Sequence, residues 1–468
     1  MEPHGTPALT GITGTWLLRR MCWFRARFAP LAALATVSIG FVAACGGDGT
    51  TGPALDAALE AAPPPADVTT TPDEVLPESP DAGTPSDAAH LPPDAAPPDP
   101  VHFECRDDNC PELVVDGDPI DRGCFNFSPC FVRGMYDPTL EFDATTDTLW
   151  LGYTAGTAVL AERGNADTLA AAHRTHLARS DDHGLTFTFV DEVTPATPLT
   201  HPTTHRLGMV ENEVSTLVHE PAGDWTLLWL RYFETAGPNP SRSDFVYARK
   251  VAATPPDLTA APLEPYLRGN FPDALDDTPR VLSQEVPELA DCLAFTEPAL
   301  YTHDGLSYLA STCLVANAAG TAVDYTRSRN VLLRRDGESY SFVGTLLTHD
   351  DAVALGGDSL EQMALADSRV DGRTLLVATP IDHQAAVQHQ GCVVLSLDDL
   401  ETAHVARDAD GRLQLRAVIT ATGGQLGPGL CDYDAASETG VLLTIPVEDR
   451  TKSPPDLRIA IHATGLHP

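Results

Sequence analysis

Five acidic residues recur along the chain in similar surroundings: Asp137, Glu213, Glu297, Glu361 and Asp432. Each precedes a short apolar segment, a polar turn and a second apolar segment, and successive copies lie roughly 70 residues apart. Carboxylates that are brought together raise one another's pKa, so that a protonated acid persists beside an ionised base. Hydrolysis of a glycosidic bond needs such a pair, separated by about 5–5.5 Å for retention or about 6.5–9.5 Å for inversion. The spacing therefore predicts acid–base chemistry at a place where the acids meet.

Short strands are the elements that must bring these acids together. From residue 101 onward, β-branched and aromatic runs are interrupted about every ten residues by Asp, Gly, Pro or Asn, and no sustained helical period is present. Four strands that recur about every 70 residues are typical of propeller blades. Five units fit into residues 131–468. We therefore predict an all-β, five-bladed β-propeller in which the acid-bearing strand of each blade is innermost and its acid faces the central channel.

The fifth unit ends after its third strand, so the ring needs one more strand. The segment 111–120, "PELVVDGDPI", lies in a Cys-rich lead-in over residues 101–130 and is the candidate for this ring-closing strand. An unpaired edge would invite aggregation, which favours closure. Tandem β-sandwiches are an alternative architecture, because short, regularly spaced strands fit them too.

The stretch "SDDHGLTF", Ser180 to Phe187, resembles the Asp-box of sialidases and other propellers, with the pattern Ser-x-Asp-x-Gly-x-Thr-aromatic. Its physical logic is a self-contained turn, in which Ser180 and Asp182 bond to nearby backbone groups and Gly184 permits a positive φ. A calcium loop would need acids at alternate positions and a terminal glutamate. The resemblance implies a scaffold turn at the outer part of a blade. A six-bladed sialidase-like propeller is therefore a further alternative.

The five acids and their repeat resemble the five-bladed glycoside hydrolases of the arabinanase, xylosidase and fructosidase group. By position, the resemblance implies that Asp137 in "YDP" is the base or nucleophile. It implies that Glu213 in "NEV" is the pKa-tuning or orienting acid, and that Glu297 in "TEP" is the general acid. The group typically has an aspartate where this chain has Glu213.

Four further residues are predicted to bind substrate. Sialidases use an arginine triad, and Arg133 in "VRGMYDP" and Arg231 in "LRYF" are the candidates for inward-facing arginines. Glu361 and Asp432, the acids of the fourth and fifth units, complete the predicted set.

The N-terminus has the features of an export signal. Arginines at 19, 20, 25 and 27 precede the apolar run "LAALATVSIGFVAA", which is short for a membrane span but suits a signal-peptide core. The stretch "FVAAC" resembles the lipobox of bacterial lipoproteins, which implies that residues 1–44 are removed and that Cys45 is lipidated. Gly46 after this cysteine implies an outer-membrane, cell-surface location. An ordinary signal peptide is the alternative.

Residues 45–100 would then comprise the lipidated cysteine and a tether. The segment after Cys45 is rich in Pro, Ala, Asp and Thr and contains neither Lys, Arg nor aromatic residues. Such a composition cannot bury enough apolar surface to offset the entropy of ordering, so we expect a disordered spacer.

The composition excludes some classes of partner. With 29 basic and 66 acidic residues and a formal charge of −37, the chain repels phosphate backbones, so we expect no nucleic-acid binding. No metalloprotease motif, phosphate loop or nucleotide fingerprint is present, so we expect neither metal nor cofactor. The expected partners are a glycan and, through the lipid, a membrane, with the protein a monomer.

Eight cysteines follow Cys45, and an even number beyond an export signal indicates disulfides. They are Cys105, Cys110, Cys124, Cys130, Cys292, Cys313, Cys392 and Cys431. Zinc binding by the first four is the alternative, although no CxxC pair is present. The connectivity stays open.

The sequence supports two functional hypotheses. The first is a surface lipoprotein whose propeller binds or hydrolyses carbohydrate, and it predicts that Asp137, Glu213 and Glu297 converge in an open pocket. The second is a non-catalytic scaffold for a protein or polymer partner, in which backbone amides or arginines hold the same acids.

Overall fold

The computed structural model describes residues 99–106, 108–119, 132–160, 169–237, 240–271, 275–276, 279–319, 322–383, 388–422, 427–449 and 456–468. The predicted signal peptide, Cys45 and the tether as far as residue 98 lie outside these ranges. The regular structure is nearly all strand, which confirms the all-β prediction. The helical segments in the described part are short: Pro255–Leu258, Leu282–Glu285, Pro287–Leu289, Tyr325–Arg327 and His349–Ala354. None of the described helices is long and apolar enough to cross a bilayer.

Two short strands precede five successive groups of strands, most of which pair in the antiparallel direction. The leading strands are β1 (Val101–Cys105) and β2 (Val115–Asp116). Group I comprises β3 (Val132–Asp143), β4 (Thr148–Leu160), β5 (Leu169–Ser180) and β6 (Phe187–Thr194). Group II comprises β7 (Thr197–Thr200), β8 (Leu207–His219), β9 (Trp225–Thr235), β10 (Arg242–Ala252), β11 (Glu264–Arg268) and β12 (Arg280–Val281).

The remaining groups follow the same antiparallel order. Group III comprises β13 (Cys292–His303), β14 (Leu306–Val315), β15 (Arg329–Asp336) and β16 (Ser339–Leu347). Group IV comprises β17 (Ser359–Asp367), β18 (Thr374–Asp382), β19 (Gln388–His389), β20 (Cys392–Asp399), β21 (His404–Val405) and β22 (Leu415–Ala421). Group V comprises β23 (Gly429–Asp432), β24 (Leu442–Asp449) and β25 (Asp456–Ala463).

The described hydrogen-bonded ladders form four sheets, because groups V and I share one. β25 pairs in parallel with β3, which joins the two groups into a single eight-stranded sheet. Groups II, III and IV each lie in a separate sheet. The sequence pattern predicts five separate units and does not reveal this pairing.

Apolar side chains fill the contacts between successive groups. One buried cluster spans each contact and contains residues of both groups: Trp150 and Trp225 of groups I and II, Leu230 and Leu309 of II and III, Leu332 and Leu376 of III and IV, Val394 and Leu443 of IV and V, and Leu149 and Leu442 of I and V. Group V thus packs on group I as each earlier group packs on its successor.

A β-bulge interrupts one strand of every group, namely β3, β8, β13, β17 and β23. At each bulge the pairing register shifts and one residue other than glycine has a positive φ, which is uncommon and marks a specific local feature. We call these the bulge residues: Asp137, Val214, Glu297, Gln362 and Leu430, with φ of 49°, 53°, 54°, 32° and 55°. The bulge residue provides a common reference position by which the five groups can be aligned with one another. In this alignment Glu213 and Glu361 precede the bulge residue by one position.

Asp432 follows its bulge residue by two positions and therefore differs from the other four acids. The equivalent residues of groups I and II accept a backbone hydrogen bond from the next group, and Asp432 does the same. The donor N–H groups and their acceptors are Leu217 to Thr139 (3.2 Å), Leu300 to Thr216 (2.9 Å) and Leu140 to Asp432. The structure thus places Asp432 in a contact between groups V and I, and not beside the other acids.

The hydrogen bond from the backbone N–H of Leu300 to Thr216 should contribute measurably to stability. Replacing Thr216 by Val keeps the shape of the side chain but leaves the buried N–H of Leu300 without its acceptor. We expect the free energy of unfolding, measured by urea denaturation, to fall by about 1–2 kcal/mol. Thr188→Val on an exposed position of β6 is the control. Equal stability of both variants would contradict the role assigned to this contact.

The predicted ring-closing segment is divided between two groups. Glu112 forms an antiparallel bridge with His462 of β25, and Leu113 N–H donates to the carbonyl of Ile461 at 2.8 Å. The chain then continues into β2, which pairs in parallel with β6 at the outer edge of group I. The segment therefore contacts the outer edges of groups V and I, and does not complete group V as one strand over 111–120. Upstream, β1 pairs in parallel with β22.

Three disulfides confirm the disulfide interpretation for six of the cysteines. Their pairs are Cys105–Cys110, Cys292–Cys313 and Cys392–Cys431. The last of these joins β20 of group IV to β23 of group V. Cys124 and Cys130 lie outside the described residues.

The turn between β5 and β6 closes on itself. Ser180 Oγ donates to Asp182 at 2.6 Å, and the backbone N–H of Gly184 donates to Ser180 Oγ at 2.7 Å. Thr186 donates to Asp182 from both its backbone N–H and its hydroxyl. Gly184 has a φ of +95°, and Phe187 is buried. The carboxylate of Asp182 therefore accepts its hydrogen bonds from within the turn, as expected for a scaffold element.

Candidate functional site

Four of the five acids form one buried cluster, which we call the central acids: Asp137, Glu213, Glu297 and Glu361. They lie at or next to the bulges of groups I to IV, and their exposed fractions are 2%, 3%, 0% and 3%. Glu297 interacts electrostatically with the other three, and Asp137 interacts with Glu213. The structure thus brings together the three predicted catalytic acids and Glu361.

Asp137 and Glu213 hold a proton and a negative charge, respectively. Burial, reinforced by the charge of Glu213, raises the pKa of Asp137 to about 8, while Thr154 donates a hydrogen bond to it at 2.9 Å. Burial would also raise the pKa of Glu213, but Arg242 and His173 outweigh it and lower this pKa to about 2. Arg242 and His173 each approach a different oxygen of Glu213 at 3.2 Å. At neutral pH the pair therefore carries one proton, on Asp137.

Glu297 and Glu361 likewise differ in protonation, because their pKa values are shifted in opposite directions. Neither carboxylate oxygen of Glu297 makes a well-formed hydrogen bond in the described structure. Burial, followed by the charge of Glu361, raises the pKa of Glu297 well above its usual range, and the backbone N–H of Gln362 offsets this only in part. Burial would raise the pKa of Glu361 too, but His383 and His389 lower it. A protonated Glu297 thus lies near ionised carboxylates.

No sequence motif marks the groups that supply the opposite charges. Arg242 comes from β10, His173 from β5, and His383 follows β18. A local signal does exist for Glu211, since it is two residues from Glu213 in the apolar strand "LGMVENEVSTLVH" and faces the same buried side. Glu211 accepts a hydrogen bond from the backbone N–H of His173 at 2.5 Å.

The two arginines predicted from the sequence do not reproduce a triad in the described structure. Arg231 of β9 pairs with Asp276, which neutralises its charge locally. The backbone of Arg133 lies in β3 opposite Thr157, and its side chain is outside the described part. Among the described side chains, the arginine that forms an ion pair with a central acid is Arg242.

Metal binding has little support among the described residues. Two groups have suitable ligand types and spacing, Cys105 with Cys110 and His462, and Asp291 with Cys292 and Cys313. The cysteines of both groups form disulfides, so their thiolates are not free to bind an ion.

Glu211 should make stability depend on pH. Burial raises its pKa to about 8, so the folded state keeps a proton that the unfolded chain releases above about pH 4.5. The free energy of unfolding should therefore fall as pH rises through this window, by up to about 1.4 kcal/mol per pH unit for one proton. In Glu211→Gln, urea unfolding at several pH values should show a slope shallower by about one proton. Glu401→Gln, at an exposed position, is the control, and a slope equal to that of the wild type in Glu211→Gln would contradict the assignment.

No protein-family model matches the chain, and no curated protein is significantly similar to it. Solved structures of similar fold include the GH43_1 enzyme from Xanthomonas citri complexed with xylotriose, with 11% identity, a TM-score of 0.39, and coverage of 75% of this chain and 89% of that one. The arabinanase Arb43A of Bacillus subtilis has 11% identity, a TM-score of 0.33 and coverages of 70% and 93%. Zg3597, a family 117 glycoside hydrolase of Zobellia galactanivorans, has 11% identity, a TM-score of 0.41 and coverages of 76% and 89%. At these values the likeness carries no functional assignment.

Proposed function

We propose that the protein is a five-bladed, carbohydrate-active propeller that hydrolyses glycosidic bonds at the central acids. One observation carries the proposal. Glu297 is a fully buried carboxyl group without a well-formed hydrogen bond, held protonated beside ionised carboxylates. A proton donor of this kind beside a charged partner is the arrangement that cleavage of a glycosidic bond requires.

Glu297 is the general acid in this proposal. The base or nucleophile is the Asp137–Glu213 pair, which shares one proton between two carboxyl groups and therefore titrates as a unit. Asp137 acts as the base only after its proton has left, whereas Glu213 is already ionised. At neutral pH Glu213 is therefore better suited than Asp137 to act as the base or nucleophile, which is a larger role than the pKa tuning that the resemblance implies for it.

The proposal also includes export and lipid attachment at Cys45. Its support is the sequence alone: the arginines, the apolar run and the "FVAAC" stretch. Mass spectrometry of the membrane fraction tests it, because a lipidated Cys45 would be the N-terminal residue of the mature chain. A mature chain that begins elsewhere would remove this part of the proposal.

A non-catalytic scaffold is the second candidate, and the burial of the central acids favours it. Each central acid is almost inaccessible to solvent, and Arg242 forms an ion pair with the carboxylate of Glu213. In a scaffold, these charges would hold neighbouring sheets together without contacting a sugar.

Turnover of glycosides separates the two candidates. We expect the wild-type chain to release the aryl group from at least one member of a panel of aryl pentosides and hexosides in both anomeric forms. Glu297→Gln, prepared and assayed in the same way, excludes a contaminating enzyme as the source. An absence of turnover across the whole panel by folded wild-type protein would favour the scaffold.

A further inference from the structure

Glu361, His383 and Asp358 form a chain of three contacting side chains. His383 Nε2 approaches Glu361 Oε1 at 3.3 Å, and on its other side the Nδ1–H of His383 donates to Asp358 Oδ1 at 2.7 Å. All three groups are largely buried, so these contacts are poorly screened by water. A carboxylate behind an imidazole fixes both the ring's orientation and its protonation.

The surroundings of His383 strengthen this arrangement. The ring of Tyr325 stacks on the imidazole with centroids 3.9 Å apart and planes at 19°, which restricts rotation of the ring. His389 also faces Glu361, but its Nε2 is farther from the carboxylate, at 3.9 Å. Burial would lower the pKa of His383, yet Asp358 and Glu361 raise it to about 9, so that the ring is a cation at neutral pH.

We propose that Asp358 and His383 are positioning residues, which hold the Glu361 carboxylate in place beside Glu297 and so decide which of these two carboxyl groups carries the proton. Glu361 and Glu297 come from adjacent groups, and both lie at their bulges. The pair of acids shares a buried space in which two negative charges are unfavourable. The cationic ring of His383 contacts Glu361, and thus the negative charge stays there and the proton stays on Glu297.

The other charged and titratable groups around Glu297 and Glu361 are consistent with a proton on Glu297 and a negative charge on Glu361. They are Asp137 and Glu213, which face Glu297 from groups I and II, Tyr247, His389 and Tyr325. Glu213 adds negative charge near Glu297, Asp137 is uncharged while it keeps its proton, and neither tyrosine supplies a positive charge. Within the described structure, the imidazoles of His383 and His389 are therefore the groups that offset the negative charge of Glu361.

This inference rests on the proposed function for its catalytic meaning, but it can be measured without turnover. The test follows the carboxyl ¹³C resonance of Glu297 in protein labelled at glutamate, assigned by its loss in Glu297→Gln. In His383→Gln and in Glu361→Gln, the midpoint of Glu297 should fall by about one pH unit or more, because its negative neighbour is neutralised or removed. The double variant should shift no further than Glu361→Gln.

His349→Gln is the matched control. Its Nδ1 contacts the backbone carbonyl of Asp358 at 2.8 Å, so it removes an imidazole from the same region without touching Glu361. An unchanged Glu297 midpoint in folded His383→Gln would overturn the proposal, whatever Glu361→Gln shows. If His383→Gln does not fold, Asp358→Asn, which removes the carboxylate that His383 contacts, decides in the same way. Where glycoside turnover is found, the alkaline limb of the kcat/KM profile should move to lower pH in the test variants. Absence of turnover would count against the proposed function and leave the titration test intact.

Discussion

Glu297→Gln is expected to reduce kcat/KM on an aryl glycoside by about 10²- to 10⁴-fold, the usual contribution of a general acid. Glutamine has nearly the same shape but cannot release a proton to the departing oxygen. Its amide also suits a position where the folded protein holds an uncharged group. We therefore expect the variant to fold normally by circular dichroism, so that lost activity is not lost structure.

The leaving group provides the sharper measurement. A dinitrophenyl group departs without help from an acid, whereas a methylumbelliferyl or alkyl group needs protonation. The loss in Glu297→Gln should therefore be much smaller for the dinitrophenyl glycoside. Glu438→Gln, at the protein surface, is the control and should match the wild type. An equal loss for all leaving groups would mean that Glu297 does not act as the acid.

Arg242→Met is expected to lower the free energy of unfolding by about 3–5 kcal/mol. The guanidinium is only 9% exposed and pairs with Glu213 at 3.2 Å and Glu234 at 2.8 Å, whose side chains are 4% and 1% exposed. Removing it leaves Glu234 without this cation and Glu213 with His173 alone, and the cost of an unpaired buried charge is large. Urea denaturation at neutral pH measures the loss.

Arg249→Met is a closely matched control on the same strand. Arg249 is 10% exposed and lies over the ring of Tyr266, as Arg242 lies over the ring of Tyr232. Its partners Glu264 and Glu338 are 52% and 62% exposed, so water can solvate them when the arginine is removed. We expect a loss of about 1 kcal/mol or less. Similar losses in the two variants would contradict the view that the charges around Glu213 are held by burial.

The alignment of the acids shows where sequence reasoning succeeds and where it fails by one or two residues. The repeat of acid, strand, turn and strand correctly brings Asp137, Glu213, Glu297 and Glu361 into one cluster. It also groups Asp432 with them, although Asp432 stands two positions beyond its bulge residue. Side chains alternate between the two faces of a strand, and a bulge shifts this alternation. The position of a bulge depends on the neighbouring strand, and therefore cannot be read from one segment.

Local chemistry is what the amino-acid sequence determined about this protein. Strand texture, the turn at Ser180 to Phe187 and the even set of cysteines depend on short-range preferences, and the described structure agrees with each. The tertiary structure alone decided that β25 joins β3, that Arg242 and His383 reach Glu213 and Glu361, and that Asp137 and Glu297 keep their protons. Burial and opposite charge act between segments far apart in the chain, because they exist only once the sheets have packed against one another.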